Sequence, residues 1–92
     1  MTRVTWGLAV EKQLDRIPAV IVSKFRIWVA LIEESGIREV RKRKGFYDEP
    51  LKGKRQGQRS VRLNRAYRAI YLERESGEVN LIQILEAHKH EY

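Results

Sequence analysis

Arg59-Ser60-Val61-Arg62-Leu63-Asn64-Arg65-Ala66-Tyr67-Arg68-Ala69-Ile70-Tyr71-Leu72-Glu73 opens the last third of the chain. Its first five residues put Val61 and Leu63 on one face and Ser60 and Arg62 on the other, the period of two expected of a strand with one side against a core. Asn64-Arg65 supplies a turn, and residues 67–73 form a second strand rich in aromatic and branched side chains. Glu75-Ser76-Gly77-Glu78 is a hairpin connection, and residues 79–87 form a third strand. Three consecutive strands joined by tight turns make an antiparallel meander.

Upstream of this run the period changes. Residues 3–6 are short and β-prone, a first strand. Val10, Leu14 and Ile17 recur at helical spacing, and Pro18 ends that helix and opens the next. Ile21, Phe25, Trp28, Val29 and Ile32 form a broad apolar stripe over residues 18–35, and Gly36 stands where a C-terminal cap is expected. Because Phe25 and Trp28 lie on that stripe, they read as core and not as base-stacking groups. A short helical turn over residues 37–43 leads into a loop at Gly45-Phe46-Tyr47-Asp48-Glu49-Pro50, where Pro50 biases Glu49 toward extended backbone. Leu51 to Gln58 is basic, punctuated by glycine, and reads as an exposed turn. The expectation is one α+β domain over residues 1–92: two N-terminal helices packed on a mainly antiparallel sheet, in β-α-α-β-β-β order.

Composition narrows the function. Apolar residues at 42% and charged residues at 34% suit a folded chain. With no cysteine, disulfides and Cys-based zinc sites are excluded. No apolar run reaches the ~18 residues of a membrane span, and no secretory signal stands at the start, so a cytoplasmic location without membrane contact follows by default. The net charge is +7, and it is concentrated: residues 38–68 hold twelve of the nineteen basic side chains and three of the twelve acidic ones. Solubilising surfaces usually mix signs. A field of one sign points to a polyanionic partner, here nucleic acid.

The chemistry available is limited. His88 and His90 are the only histidines, and two ligands fall short of the three protein ligands that catalytic zinc usually keeps, so neither a metal nor a cofactor is expected. No phosphate-loop pattern is present, and no serine or cysteine nucleophile has a partner. Arginine-rich strands facing His88-Lys89-His90-Glu91-Tyr92 remain. In a meander the end of the third strand returns beside the start of the second, near Tyr67 and Arg68, and Arg62 can join the same face. Guanidinium, imidazole and phenol groups suit RNA cleavage through the substrate's own 2′-hydroxyl. That reaction needs a base, donors for the charge building on the phosphorane, and an acid for the departing 5′-oxygen.

At Leu51-Lys52-Gly53, again from Arg62 through Tyr67-Arg68-Ala69-Ile70-Tyr71, and at the terminal His88 to Tyr92, the chain resembles the RelE/HigB toxins of bacterial type II toxin–antitoxin modules, within the RelE/ParE superfamily. Those toxins carry a Leu-x-Gly segment, a basic strand, a Tyr-Arg-x-x-Tyr-like strand and a catalytic cluster ending the last strand, in that order. The resemblance implies the small RelE-like fold, endonucleolytic cleavage of mRNA, commonly on the ribosome, and neutralisation by a cognate antitoxin. It gives Arg68 the role of stabilising the phosphate and puts Arg62 where members place a basic catalytic residue. His88 becomes a proton-transfer group, and Tyr92 a base-stacking or proton-transfer group, while His90 rivals His88. Lys52, Lys54, Arg55 and Arg59, with Lys89 and His90, are expected to hold the RNA. Ser60 sits near where some members carry another lysine, and the preceding loop is about one residue longer, so the identity of the general base stays open. The alternatives are a ParE-like toxin that poisons gyrase, or an RNA-binding domain without catalysis.

Overall fold

Pro18 and Gly36 divide the N-terminal half as their backbones require. In a computed structural model that describes residues 2–76 and 79–89, β1 (Thr2–Thr5) is followed by α1 (Leu8–Leu14), α2 (Ala19–Ser35) and α3 (Ile37–Arg41). Pro18 precedes the first residue of α2, and its carbonyl accepts from the amides of Ile21 and Val22. Gly36 sits at φ +85°, a conformation strained for any side chain, and this turns the chain from α2 into α3.

Ile21, Phe25, Trp28 and Ile32 are buried along α2, with Val29 partly buried beside them. Phe25 packs edge-on to Trp6, its ring centroid 5.3 Å away. Trp28 lies 5.5 Å from Tyr71 on the sheet. Both Phe25 and Trp28 are fully enclosed, so neither is open to a base. Side chains of this size contribute ~1.5–3 kcal/mol each on burial. No helix among the described residues is long and apolar enough to cross a membrane.

The second half supplies the sheet: β2 (Glu49–Pro50), β3 (Gln58–Arg62), β4 (Tyr67–Ser76) and β5 (Val79–Lys89), with 3-10 turns at Lys44–Phe46 and Gly53–Arg55. The strand order is β1-β5-β4-β3-β2, antiparallel throughout except that β1 runs parallel to β5. The meander is as expected from the alternation, and both long strands continue past their expected ends. One stretch differs. Residues 49–50, read as loop, pair with Ser60 and Arg59 as a short edge strand. Proline hides this in the sequence because it cannot donate to a ladder, yet an edge strand tolerates it.

A register shift between Ile70 and Tyr71 reshapes the outer face of the sheet. Ile70 pairs with Glu86 and Tyr71 with Ile84, so β5 carries one extra residue between them. Ile82 and Ile84 face the core, but beyond the bulge it is Ala87 that does so. Unbroken alternation would have turned Glu86 and His88 inward. The bulge turns them outward.

Candidate active site

On β3, Arg62 lies directly opposite Arg68 of β4, and Arg68 lies opposite His88 of β5. Opposed residues share a face of the sheet, so three side chains from three strands form one row. With ~4.8 Å between strands, the row spans ~10 Å. The core row Val61, Ala69 and Ala87 has the same register and points to the other side. The outer face therefore gathers Arg62, Arg68 and His88, three of the residues that the sequence singles out, through backbone pairing.

Two arginines opposite one another repel, and the structure supplies a carboxylate beside them. Arg68 Nη1 donates to Glu49 Oε1 at 3.0 Å and to Ser60 Oγ at 3.1 Å. The Arg68 side chain is 15% exposed and that of Glu49 56%, so the guanidinium is anchored while the carboxylate stays open to solvent. Ser60 is buried on this outer face. Its hydroxyl is satisfied by Arg68 and serves to orient it.

His88 is held from both sides. Nε2 lies 3.0 Å from Glu86 Oε1, and Nδ1 lies 2.8 Å from the Lys89 carbonyl. Both partners are acceptors. The other oxygen of Glu86 takes an ion pair from Arg55, which brings the basic turn at residues 53–55 over the outer face. Arg55 thus braces the carboxylate that braces His88.

Other expected residues fall elsewhere. Lys52 and Lys54 are exposed on and beside that turn, and Lys89 is exposed at the end of β5. Arg59, expected on the RNA backbone, is committed to the opposite side of the sheet: its Nε donates to Asp48 at 2.6 Å, and the Asp48 side chain is only 1% exposed. The Tyr71 hydroxyl donates to the same carboxylate at 2.6 Å and accepts from Arg41, which also pairs with Glu73. Burial, and then the hydrogen bond to Asp48, push the Tyr71 phenol well above its ordinary value. This network ties α3, the loop and the sheet together. His90 and Tyr92 lie outside the described residues.

Three side chains of this region escape a reading that looks for cations. Glu49 and Glu86 are acidic residues in and beside a basic field. The only available signal for Glu49 was that it is one of three acids between residues 38 and 68. The third is Tyr47, which sits in the left-handed conformation at φ 45°, ψ 50°, is 58% exposed, and stacks on Arg62 with 4.6 Å from Cζ to the ring centroid. Left-handed backbone costs a side-chain-bearing residue ~1–2 kcal/mol. An exposed cation–π contact returns ~0.5–1 kcal/mol. The contact does not outweigh the strain.

Solved structures that share this fold include a bacterial toxin and a chain of a toxin–antitoxin complex. The YoeB/ParE toxin from Agrobacterium tumefaciens superposes with a TM-score of 0.75 at 21% identity, covering 97% of this chain and 99% of that one. A chain of the YoeB–YefM complex from Staphylococcus aureus matches at 0.70 and 19% identity, covering 100% and 99%. YafQ from Escherichia coli strain BL21(DE3) matches at 0.70 and 12% identity, covering 98% and 94%. No family model and no curated protein matches the sequence. At these identities the likeness is one of fold.

Proposed function

We propose that the chain is the toxin of a type II toxin–antitoxin module, an endoribonuclease that cleaves mRNA through the substrate's own 2′-hydroxyl. The observation that carries this reading is the Arg62–Arg68–His88 row with Glu49 hydrogen-bonded to Arg68. A phosphodiester over Arg68 meets a carboxylate on one side and an imidazole on the other. Glu49 accepts the 2′-OH proton, and the 2′-oxygen attacks phosphorus. Arg68 and Arg62 stabilise the charge that builds on the phosphorane oxygens, a task suited to the planar guanidinium fork. His88 gives a proton to the departing 5′-oxygen, leaving a 2′,3′-cyclic phosphate. Lys52, Lys54 and Lys89 hold flanking backbone, and the ribosome presents the message. A cognate antitoxin covers the basic face. The YoeB–YefM complex, in which a chain of the same fold is found, supports a protein partner of that kind.

The test is cleavage of labelled RNA, free and on programmed ribosomes. Cyclic phosphate ends, and a block by 2′-deoxy substitution at the scissile nucleotide, are expected. Growth arrest with intact mRNA and accumulating DNA breaks would identify a gyrase-poisoning toxin instead. Tight RNA binding with no cut under any condition would leave only a binding domain.

A further inference from the structure

We infer that Tyr47 stacks a base of single-stranded RNA flanking the scissile phosphate, with Arg62 behind its ring and Lys24 and Arg65 beside it. For the identity of the ligand this rests on the ribonuclease reading above. Three observations converge on Tyr47. An aromatic side chain is left more than half exposed to solvent. Its backbone is left-handed, a conformation that glycine or asparagine would adopt at less cost; such strain at a bulky exposed residue is a mark of function. Its ring lies against Arg62, whose strand position is next to Arg68 in the row.

Around the ring is a cleft of about 350 Å³ lined by Lys24, Gly45, Tyr47, Arg62, Asn64 and Arg65. Three cations and one aromatic ring, with no acidic side chain among the lining residues, match the needs of a single-stranded nucleotide. The phosphates meet positive charge, and the base meets a π-face. The cleft is also shaped by its own neighbours. Asn64 Oδ1 accepts from the amides of Ala66 and Tyr67, which fixes the turn that carries Arg65. Lys24 is positioned over Phe46, 5.7 Å from its ring centroid. Arg62 accordingly does two things: its charge lies in the phosphate row, and its guanidinium carbon lies over the ring that receives the base.

The probe is a fluorescein-labelled RNA nonamer made uncleavable by 2′-deoxy substitution, titrated with the full chain by fluorescence polarisation. Tyr47→Ala is expected to raise Kd about tenfold, the loss of one base–aromatic stack. Tyr47→Phe and Tyr47→Trp keep the ring, and both are expected to bind within about twofold of the parent chain. Replacing the bases one at a time by abasic sites should identify one position at which the parent loses its advantage over Tyr47→Ala. A duplex of the same sequence should show no Tyr47 dependence, because its bases are already stacked.

The inference is overturned if Tyr47→Ala binds like the parent, if its penalty survives at every abasic position, or if the nonamer does not bind at all. Tyr47-dependent binding with no cleavage by the parent chain keeps the stacking site and removes the ribonuclease. Cleavage with Tyr47-independent binding does the reverse.

Discussion

If the chain is the proposed ribonuclease, replacing Arg68 by alanine is expected to separate catalysis from folding. In the folded chain the side chain satisfies Ser60, which is buried, and pairs with Glu49, which is half exposed. Its removal leaves the Ser60 hydroxyl without this donor, at a cost of ~1–3 kcal/mol. Glu49 is resolvated, and an ion pair with so exposed a partner is worth ~0–1 kcal/mol. Against a usual stability of ~5–15 kcal/mol, the variant stays folded. In the transition state of the proposed cleavage, by contrast, the lost group would be a charge-assisted donor aimed at the phosphorane. Deleting one such donor costs ~100- to 1000-fold in rate. The assay is single-turnover cleavage of labelled RNA at saturating protein, with Kd measured in parallel on the 2′-deoxy analogue and stability by urea denaturation. A rate loss of at least ~100-fold with Kd changed less than about tenfold is expected. Arg68→Lys, which keeps the charge and loses the fork, should fall between. A Kd that rises by as much as the rate falls would refute this role, since Arg68 would then bind ground state and transition state alike.

His88→Ala should lose at least ~100-fold in single-turnover cleavage while RNA binding survives; cleavage within a few fold of the parent would remove His88 from proton transfer. Replacing Lys52 and Lys54 together should weaken RNA binding and reduce the slope of log K against log salt by about 1.4, at ~0.7 per phosphate contact on a single strand, with the saturated rate unchanged. Arg59→Ala, on the other side of the sheet, should instead lower the urea midpoint and leave that salt slope as it was. Tyr71 predicts an alkaline limit to stability. Its proton is held more tightly folded than unfolded, so its contribution is complete below the unfolded value of ~10 and declines as pH rises from there toward the folded value. The parent chain should therefore lose stability above about pH 10 more steeply than Tyr71→Phe, which lacks that ionisation and starts less stable by ~1.5–3 kcal/mol. Parallel alkaline curves for the two would refute it.

Much of the architecture is written in local pattern. The helical spacing of Ile21, Phe25, Trp28 and Ile32, the punctuation by Pro18 and Gly36, and the alternation at Val61 and Leu63 each follow from how one short segment hides its apolar side. A basic field needs only counting. What escaped depends on partners distant in the chain. Glu49-Pro50 becomes a strand only because Arg59 and Ser60 are there to pair with it, and β1 reaches β5 across nearly the whole sequence. Arg59 reads as another surface cation until Asp48, buried and shared with Tyr71, claims it.

The candidate site shows the same division. From the sequence come the residue types, arginine and histidine on strands that must lie near one another. Their arrangement into a row is decided by tertiary register, and above all by the bulge in β5. Periodicity beyond Ile84 would send His88 into the core, and one extra residue sends it to the outer face beside Arg68. Likewise, nothing local to Tyr47 announces that it stands in left-handed backbone against Arg62. Side-chain direction in a sheet is a matter of parity along the strand, and a one-residue change in pairing, which only the neighbouring strand can impose, reverses it.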